Sequence, residues 1–349
     1  MLNAAGAGGK RIRGLDSDCG RGSWRVKYES SLYEEVPVKG YTIRQMRQDD
    51  RWDVAELICM STNYWYQVHA FPMIFPAGPR STVFHFDTYH ALEGSSGIVA
   101  VDAETGHIIG SCFQHVRPTH VSLGIMNVHP NHARRGVAGA LLREIVEAAQ
   151  AAGRPVRLVS SAMNLDSYSL YNRAGFVTFA VYQDMTIRVP AEGLREPLAA
   201  AARVRPATLA DVEAIGDLER EVSGIERPGD FRYFIRNTDG NWHVSVCEDA
   251  MQPGRLEGVL VSCLHAACNM IGPGAMRSSD AAAALLQAEL NVNTGRAPVF
   301  LVPVSAVSLV RQAYAWGARN CELHFAQVLN GFQTRVNGIA MPTFMPESN

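Results

Sequence analysis

The sequence of 349 residues lacks several features that would direct it to a membrane or to nucleic acid. It has no apolar run approaching the roughly eighteen residues of a transmembrane helix. Its first residues lack the apolar core of a signal peptide. Lysine and arginine number 32 against 34 acidic residues, so the basic surface of a nucleic-acid-binding protein is missing. We therefore expect a cytoplasmic protein without a membrane or nucleic-acid partner.

The cysteines also lack a pattern. There are seven, an odd number, and none stands in a CxxC pair. This argues against a disulfide framework or a zinc site, so we expect no metal and a reducing compartment. A GxGxxG loop after the first strand and a GKS/T loop are absent too, which argues against a nucleotide-binding module.

The sequence is long enough, and has enough apolar residues, to form two domains. Hydrophobic residues make up 47 % of the chain. Residues 1–39 mix Gly, Arg and Ser without an apolar period, which predicts a flexible N-terminal extension. Residues 191–202 are rich in Pro, Gly and Ala, which predicts a linker. The predicted domains are therefore residues 40–190 and residues 203–349.

The order of elements repeats in the two predicted domains. Hydrophobic periodicity over 40–190 predicts the order β-α-α-β-β-β-α-β-α-β. A strand followed by a helix restarts at "RVRPATLADVEAIGDLE", which indicates an internal repeat. The fold class predicted is α/β, in the α+β sense of a mixed sheet. The tail "GIAMPTFMPESN", with its two prolines, is expected to pack as irregular chain.

The stretch "HARRGVAGALL" (132–142) lies where a loop enters an apolar helix. A helix N-terminus presents unpaired backbone N–H groups and a partial positive charge, which together bind phosphate. Gly136 and Gly139 allow close approach to the backbone, and Arg134 and Arg135 add positive charge. The alternative is the ordinary start of an amphipathic surface helix.

A second segment, "AMNLDSYSLYNRAGF" (162–176), follows this loop after one predicted helix and one predicted strand. Together the two segments resemble the GCN5-related N-acetyltransferase (GNAT) superfamily, over residues 40–188. The family pattern Q/R-x-x-G-x-G/A reads Ala133-Arg134-Arg135-Gly136-Val137-Ala138 here, so Ala133 departs from it. "AMNLDSYSLYNRAGF" matches the family's Asn…LY…GF segment. The resemblance implies two tandem GNAT-like (acyl-CoA N-acyltransferase) domains.

The resemblance also implies roles for particular residues. Backbone groups of the loop would hold the pyrophosphate of acetyl-CoA, and these are the groups of Arg134, Arg135, Gly136, Val137, Ala138 and Gly139. Val128 would lie beside the pantetheine arm, where the fourth and fifth strands separate, and Asn164 would hydrogen-bond the arm. Tyr171 would protonate the departing thiolate. A helix cap for Asn164 and simple packing for Tyr171 are the structural alternatives.

The implied function is acetyl-CoA-dependent N-acetylation of a primary amine on a small molecule, by direct transfer in a ternary complex. A CoA-binding or ligand-sensing module without turnover, and acetylation of a protein amine, are the alternatives. Aromatic residues would line the acceptor side or pack in the core: Trp65, Tyr66, Phe71, Phe75 and Phe84. The general base is left open among a water chain and His85, His90, His115, His120, Ser122 and His129. The oligomeric state is also left open.

The second copy differs at both matched segments. When "AAALL" (282–286) is aligned with "AGALL" (138–142), Asp280 stands opposite Gly136, where its carboxylate would repel a pyrophosphate. Ala313 stands opposite Tyr171. We therefore expect the second domain to be degenerate, with the GNAT-like fold but without acetyl-CoA chemistry.

Overall fold

The first half of the chain folds in the predicted order. The computed structural model describes residues 40–330, 336–344 and 347–348, so the predicted extension at 1–39 lies outside the described residues. The elements of this half are β1 (Tyr41–Gln45), α1 (Arg51–Val68), α2 (Pro79–Ala91), β2 (Ser95–Asp102), β3 (Ile108–Val116), β4 (Val121–Val128), α3 (Val137–Ala151), β5 (Val156–Ser161), α4 (Leu165–Arg173) and β6 (Val177–Thr186).

The second half repeats this order, including a helix that the sequence did not reveal. Its elements are β7 (Val204–Pro206), α5 (Val212–Ser223), α6 (Pro228–Arg236), β8 (Trp242–Glu248), β9 (Leu256–Cys263), β10 (Met270–Met276), α7 (Ser279–Val292), β11 (Val299–Pro303), α8 (Val307–Ala315) and β12 (Arg319–Leu329). The unpredicted helix is α6. Pro228 at its first position suits a helix start, but so short a helix gives little periodic signal.

The C-terminal tail is not irregular, so that expectation was wrong. Residues Ile339–Met341 form β13, which pairs antiparallel with β10. Thr343–Phe344 (β14) and Glu347–Ser348 (β15) pair with each other. The backbone groups of β13 find their partners on a strand that is remote in sequence, which local turn signals around Pro342 cannot reveal.

The two halves share one mixed sheet. Its strand order is β1-β2-β3-β4-β5-β12-β6-β11-β10-β9-β8-β7. Strand β12 of the second half lies between β5 and β6 of the first, and β6 lies between β12 and β11. Each half therefore contributes its last strand next to the other half's fifth strand, and the boundaries at 190 and 203 stay a prediction.

The predicted linker is fixed to the second half. The Glu196 carboxylate accepts hydrogen bonds from Gln312 Nε2 and Trp316 Nε1, each at 2.8 Å. The Leu194 N–H donates to Asn291 Oδ1 at 2.7 Å. The segment thus connects the halves along the surface of α7 and α8 rather than as a free tether.

Two parallel strands separate in each half. Strands β4 and β5 pair only at Val121–Ser122 with Val156–Arg157, and β10 and β11 pair only at Met270–Ile271 with Val299–Phe300. Beyond these pairs an opening begins. In the second half β13 pairs with β10 from Gly274 to Met276 and so fills the opening with the chain's own backbone. The β4–β5 opening has no strand paired into it among the described residues.

A buried ion pair joins the halves. Arg117, after β3, donates to Asp230 of α6 from Nε at 3.0 Å and from Nη2 at 2.6 Å. The neighbouring pair of Arg227 and Glu219 is equally buried.

Among the described residues, no helix is both long and apolar enough to span a bilayer.

The buried pair makes a stability prediction. Asp230→Asn leaves Arg117 and Arg227 facing Glu219 alone, so urea unfolding should show a loss of about 3–5 kcal/mol in the free energy of unfolding. Asp87→Asn is the matched control, because Asp87 pairs with Arg51 at the surface, where solvent screening keeps the cost below about 1 kcal/mol. Equal unfolding midpoints for the two variants would contradict the prediction.

Candidate active site

The loop before α3 has the backbone shape of an anion site. Arg134 and Gly136 adopt positive φ of 62° and 78°, and Gly136 is the N-cap of α3 without a side-chain cap. Residues 133–136 are exposed, while Val137 is buried and fixes the helix against the sheet. Val137, Ala138 and Gly139 form the first helical turn. The amide groups at this end therefore face solvent as a concave set of donors.

A cavity of about 590 Å³ lies where β4 and β5 separate. Residues 123–126 of β4 and 158–161 of β5 form one part of its wall. The α1–α2 loop contributes Phe71–Phe75, and the β9–β10 loop of the second half contributes residues 266–269. The backbone of β15 lies against both β4 and β5, so the C-terminal hairpin borders the opening. The cavity is thus built by both halves of the chain.

Asn164 and Tyr171 both line this cavity. Asn164 is the N-cap of α4, with Oδ1 accepting the Ser167 N–H at 3.0 Å, so the helix-cap alternative is what the structure shows. Tyr171 is 8 % exposed and packs edge-on against Phe176. Its ring therefore packs in the core while also forming part of the wall. Val128 is the last residue of β4 and pairs with Gly110 of β3.

Two of the candidate bases are structural. His115 is fully buried and hydrogen-bonds Ser95 Oγ at 2.7 Å. His120 is buried too and hydrogen-bonds Ser122 Oγ at 3.1 Å. Burial, with Arg117 nearby, holds the pKa of both imidazoles well below the usual range. Neither these histidines nor Ser122 lines the cavity.

Of the other histidines predicted as candidate bases, His85 lines the cavity, while His90 and His129 do not. Burial lowers the pKa of His85 to about 4. His90 hydrogen-bonds the Phe86 carbonyl, and His129 accepts the Asn131 N–H. Among the predicted aromatic residues, Tyr66, Phe71 and Phe75 line the cavity, while Trp65 and Phe84 do not.

The cavity also contains an ionisable cluster that the sequence did not reveal. Glu322 and His324 alternate along β12, and Asp184 of β6 is the register partner of Glu322. His324 Nδ1 lies 2.9 Å from Asp184 Oδ1, and Nε2 lies 3.8 Å from Glu322 Oε1. Each of the three residues offers one nitrogen or oxygen atom that could bind a metal ion, and these atoms lie within 4.8 Å of one another. The expectation that the protein binds no metal stays a prediction.

Glu322 accepts hydrogen bonds from two other elements. Ser161 Oγ of β5 donates to Oε1, and the Tyr66 hydroxyl of α1 donates to Oε2 at 3.4 Å. Burial raises the pKa of the Glu322 carboxyl, while His324 opposes that shift. The sequence signal was present in "ELH", where two ionisable residues stand two apart and so lie on the same face of a strand. What the sequence hides is that β12 joins the sheet of the first half.

The second half differs from the first at the positions that correspond to the loop before α3 and to Tyr171. The helix α7 begins at Ser279, so Asp280 lies within its first turn, and the Ser278 side chain caps the Ala281 N–H at 3.2 Å. Ala313, opposite Tyr171, is fully buried. The "IGPGAM" segment forms most of the buried strand β10.

Comparison with known proteins agrees with this geometry. Residues 61–176 match the model of the acetyltransferase (GNAT) family, which confirms the resemblance and makes this part of the chain a GNAT domain. No curated protein sequence is significantly similar to the chain.

Solved structures show the same fold over most of the chain. A Pyrococcus horikoshii protein assigned as an acetyltransferase has 15 % identity and a TM-score of 0.68, covering 92 % of this chain and 99 % of its own. A GCN5-related N-acetyltransferase of Sphaerobacter thermophilus has 16 % identity and a TM-score of 0.56, covering 84 % and 97 %. A tandem GNAT protein of clavulanic acid biosynthesis has 15 % identity and a TM-score of 0.56, covering 84 % and 100 %. The chain therefore has two GNAT-like domains in tandem.

Proposed function

We propose that the protein is a cytoplasmic N-acetyltransferase that binds acetyl-CoA in its first half and transfers the acetyl group directly to a primary amine of a small molecule. The observation that carries the proposal is the opening between β4 and β5, into which no described strand is paired, next to an exposed helix N-terminus in a GNAT domain. Acetyl-CoA supplies the thioester.

The loop geometry suits the cofactor. The backbone amides from Arg134 to Gly139, with Val137 and Ala138 between them, would hold the pyrophosphate at the positive end of α3. The exposed guanidinium groups of Arg134 and Arg135 would supply the charge that Ala133 lacks. Val128 and Asn164 would border the pantetheine arm along the opening.

Tyr171 would provide the proton that the leaving thiolate needs. Its side chain lines the cavity at the start of the opening, and a tyrosine hydroxyl is protonated at neutral pH. Rigid packing against Phe176 would fix the direction in which the hydroxyl points.

The second half would serve the first rather than bind a second cofactor. Strand β13 fills its opening, Ser278 caps its helix, and Asp280 places a carboxylate at the first turn. Residues of its β9–β10 loop and of β12 complete the acceptor cavity. A protein amine is the less favoured acceptor, because the site is a cavity lined by residues of both halves rather than a flat surface. Binding or sensing of CoA without turnover is the other alternative.

Gly136→Asp should abolish acetyl-CoA binding, because it places a carboxylate at the proposed pyrophosphate site. Isothermal titration should give one acetyl-CoA per chain for the wild type. Gly136→Asn is the matched control, since Asn has the same shape without the charge and tolerates positive φ. Its affinity should fall less than that of the Asp variant.

Binding that survives Gly136→Asp would contradict the cofactor site. In that case the loop is only the start of a surface helix.

Tyr171→Phe should lower the rate of acetyl transfer about a hundredfold or more, with acetyl-CoA affinity unchanged, because only proton donation is lost. Tyr314→Phe is the control, since Tyr314 is half-exposed on α8, the helix of the second half that corresponds to α4. Thiol release measures the rate. A Tyr171→Phe rate equal to that of Tyr314→Phe would assign Tyr171 to packing alone.

A further inference from the structure

Two carboxyl groups face each other inside the cavity. Glu322 and Asp184 are direct partners across the antiparallel β12–β6 ladder, a position in which like charges destabilise a sheet. Their side chains are 10 % and 3 % exposed. Even with His324 protonated, the cluster holds two carboxylates against one imidazolium.

No group in the cavity wall balances this charge. The Ser161 and Tyr66 hydroxyls that donate to Glu322 are neutral. The charged groups that act on the Glu322 carboxyl are His324 and Asp184. The described residues that line the cavity include neither lysine nor arginine. A bound cation would therefore relieve the repulsion.

The α1–α2 loop gives the cavity an apolar wall. Phe71, Met73 and Ile74 of this loop are each more than 40 % exposed and line the cavity. Ala266 and Ala267 of the second half add further apolar surface to the lining. A ligand that fits both walls carries one positive charge on an apolar body.

We propose that the acceptor is a primary amine on an apolar body, that its ammonium group binds Glu322, and that His324 accepts a proton from it. The inference rests on the proposed N-acetyltransferase function. Asp184 is a positioning residue, because its carboxylate fixes the imidazole of His324 through Nδ1 at 2.9 Å and leaves Nε2 on the Glu322 side.

The ammonium gives one proton to His324 and becomes a neutral amine. The amine nitrogen forms a bond to the thioester carbonyl carbon, and the carbon–sulfur bond breaks. The thiolate takes a proton from Tyr171, and the second proton of the nitrogen returns to Tyr171. The products are the amide, CoA and one proton, which leaves His324 for solvent.

The test uses the full chain, acetyl-CoA and 4-phenylbutylamine as the apolar amine, with thiol release as the readout. Glucosamine, spermidine and a lysine-containing peptide are the comparison acceptors. We expect the highest kcat/KM for 4-phenylbutylamine, because only its body matches the apolar wall.

Variants separate binding from proton transfer. Glu322→Gln should raise the KM for 4-phenylbutylamine about tenfold or more, because a charge-assisted hydrogen bond is lost, while the Kd of acetyl-CoA is unchanged. Glu322→Asp keeps the charge and should restore part of the affinity. His324→Gln should lower kcat with little change in that KM. Glu93→Gln, at an exposed carboxylate outside the cavity, is the control.

Any one of four results would overturn the inference while leaving the acetyl-CoA site intact. The first two are an unchanged KM in Glu322→Gln and failure to acetylate 4-phenylbutylamine. The others are a higher kcat/KM for one of the other acceptors, and activity that is lost to a chelator and restored by zinc. Absence of acetyl-CoA binding in titration would instead contradict the proposed function.

Discussion

The exchange of β6 and β12 at the centre of the sheet is the constraint on which the rest of the molecule depends. Because β12 pairs with both β5 and β6, neither half can complete its sheet alone. The same exchange carries Glu322 and His324 from the second half into the cavity of the first. Backbone hydrogen bonds that stabilise the fold thus also set the position of ionisable side chains at the site, and buried pairs such as Arg117 with Asp230 reinforce the union.

The same separation of two parallel strands occurs in both halves of the chain, with different results. Parallel strands separate after two register pairs in both halves, so an opening is a consequence of the fold itself. In the second half β13 satisfies the exposed backbone of β10 and makes the opening part of the core. Between β4 and β5 no described strand is paired in the same way, although β15 lies against both strands. The two openings of the fold therefore differ in whether the chain's own backbone pairs into them.

Much of this could be predicted from sequence, for a local reason. Elements follow from periodicity, and the loop around Gly136 follows from glycine and helix-start signals, so the element order of the first half and the GNAT resemblance are confirmed. Helix α6 and strand β13 were missed, because one is short and the other gains its partners from β10, far away in the chain. The Asp184–His324 pair was not predicted either, because only the pairing of strands that are far apart in the chain brings these two residues together.

The buried cluster shows how a site differs from the core around it. A sheet built only for stability would place opposite charges or apolar side chains at the Glu322–Asp184 pair, since facing carboxylates repel and burial raises the pKa of Glu322. Outside the sheet, the buried carboxylates of Asp230 and Glu219 are each paired with an arginine, Arg117 and Arg227. The Glu322–Asp184 pair, by contrast, lies where the cavity opens onto it. If the proposed amine binds there, its ammonium group would complete the pairing that arginine provides to Asp230 and Glu219.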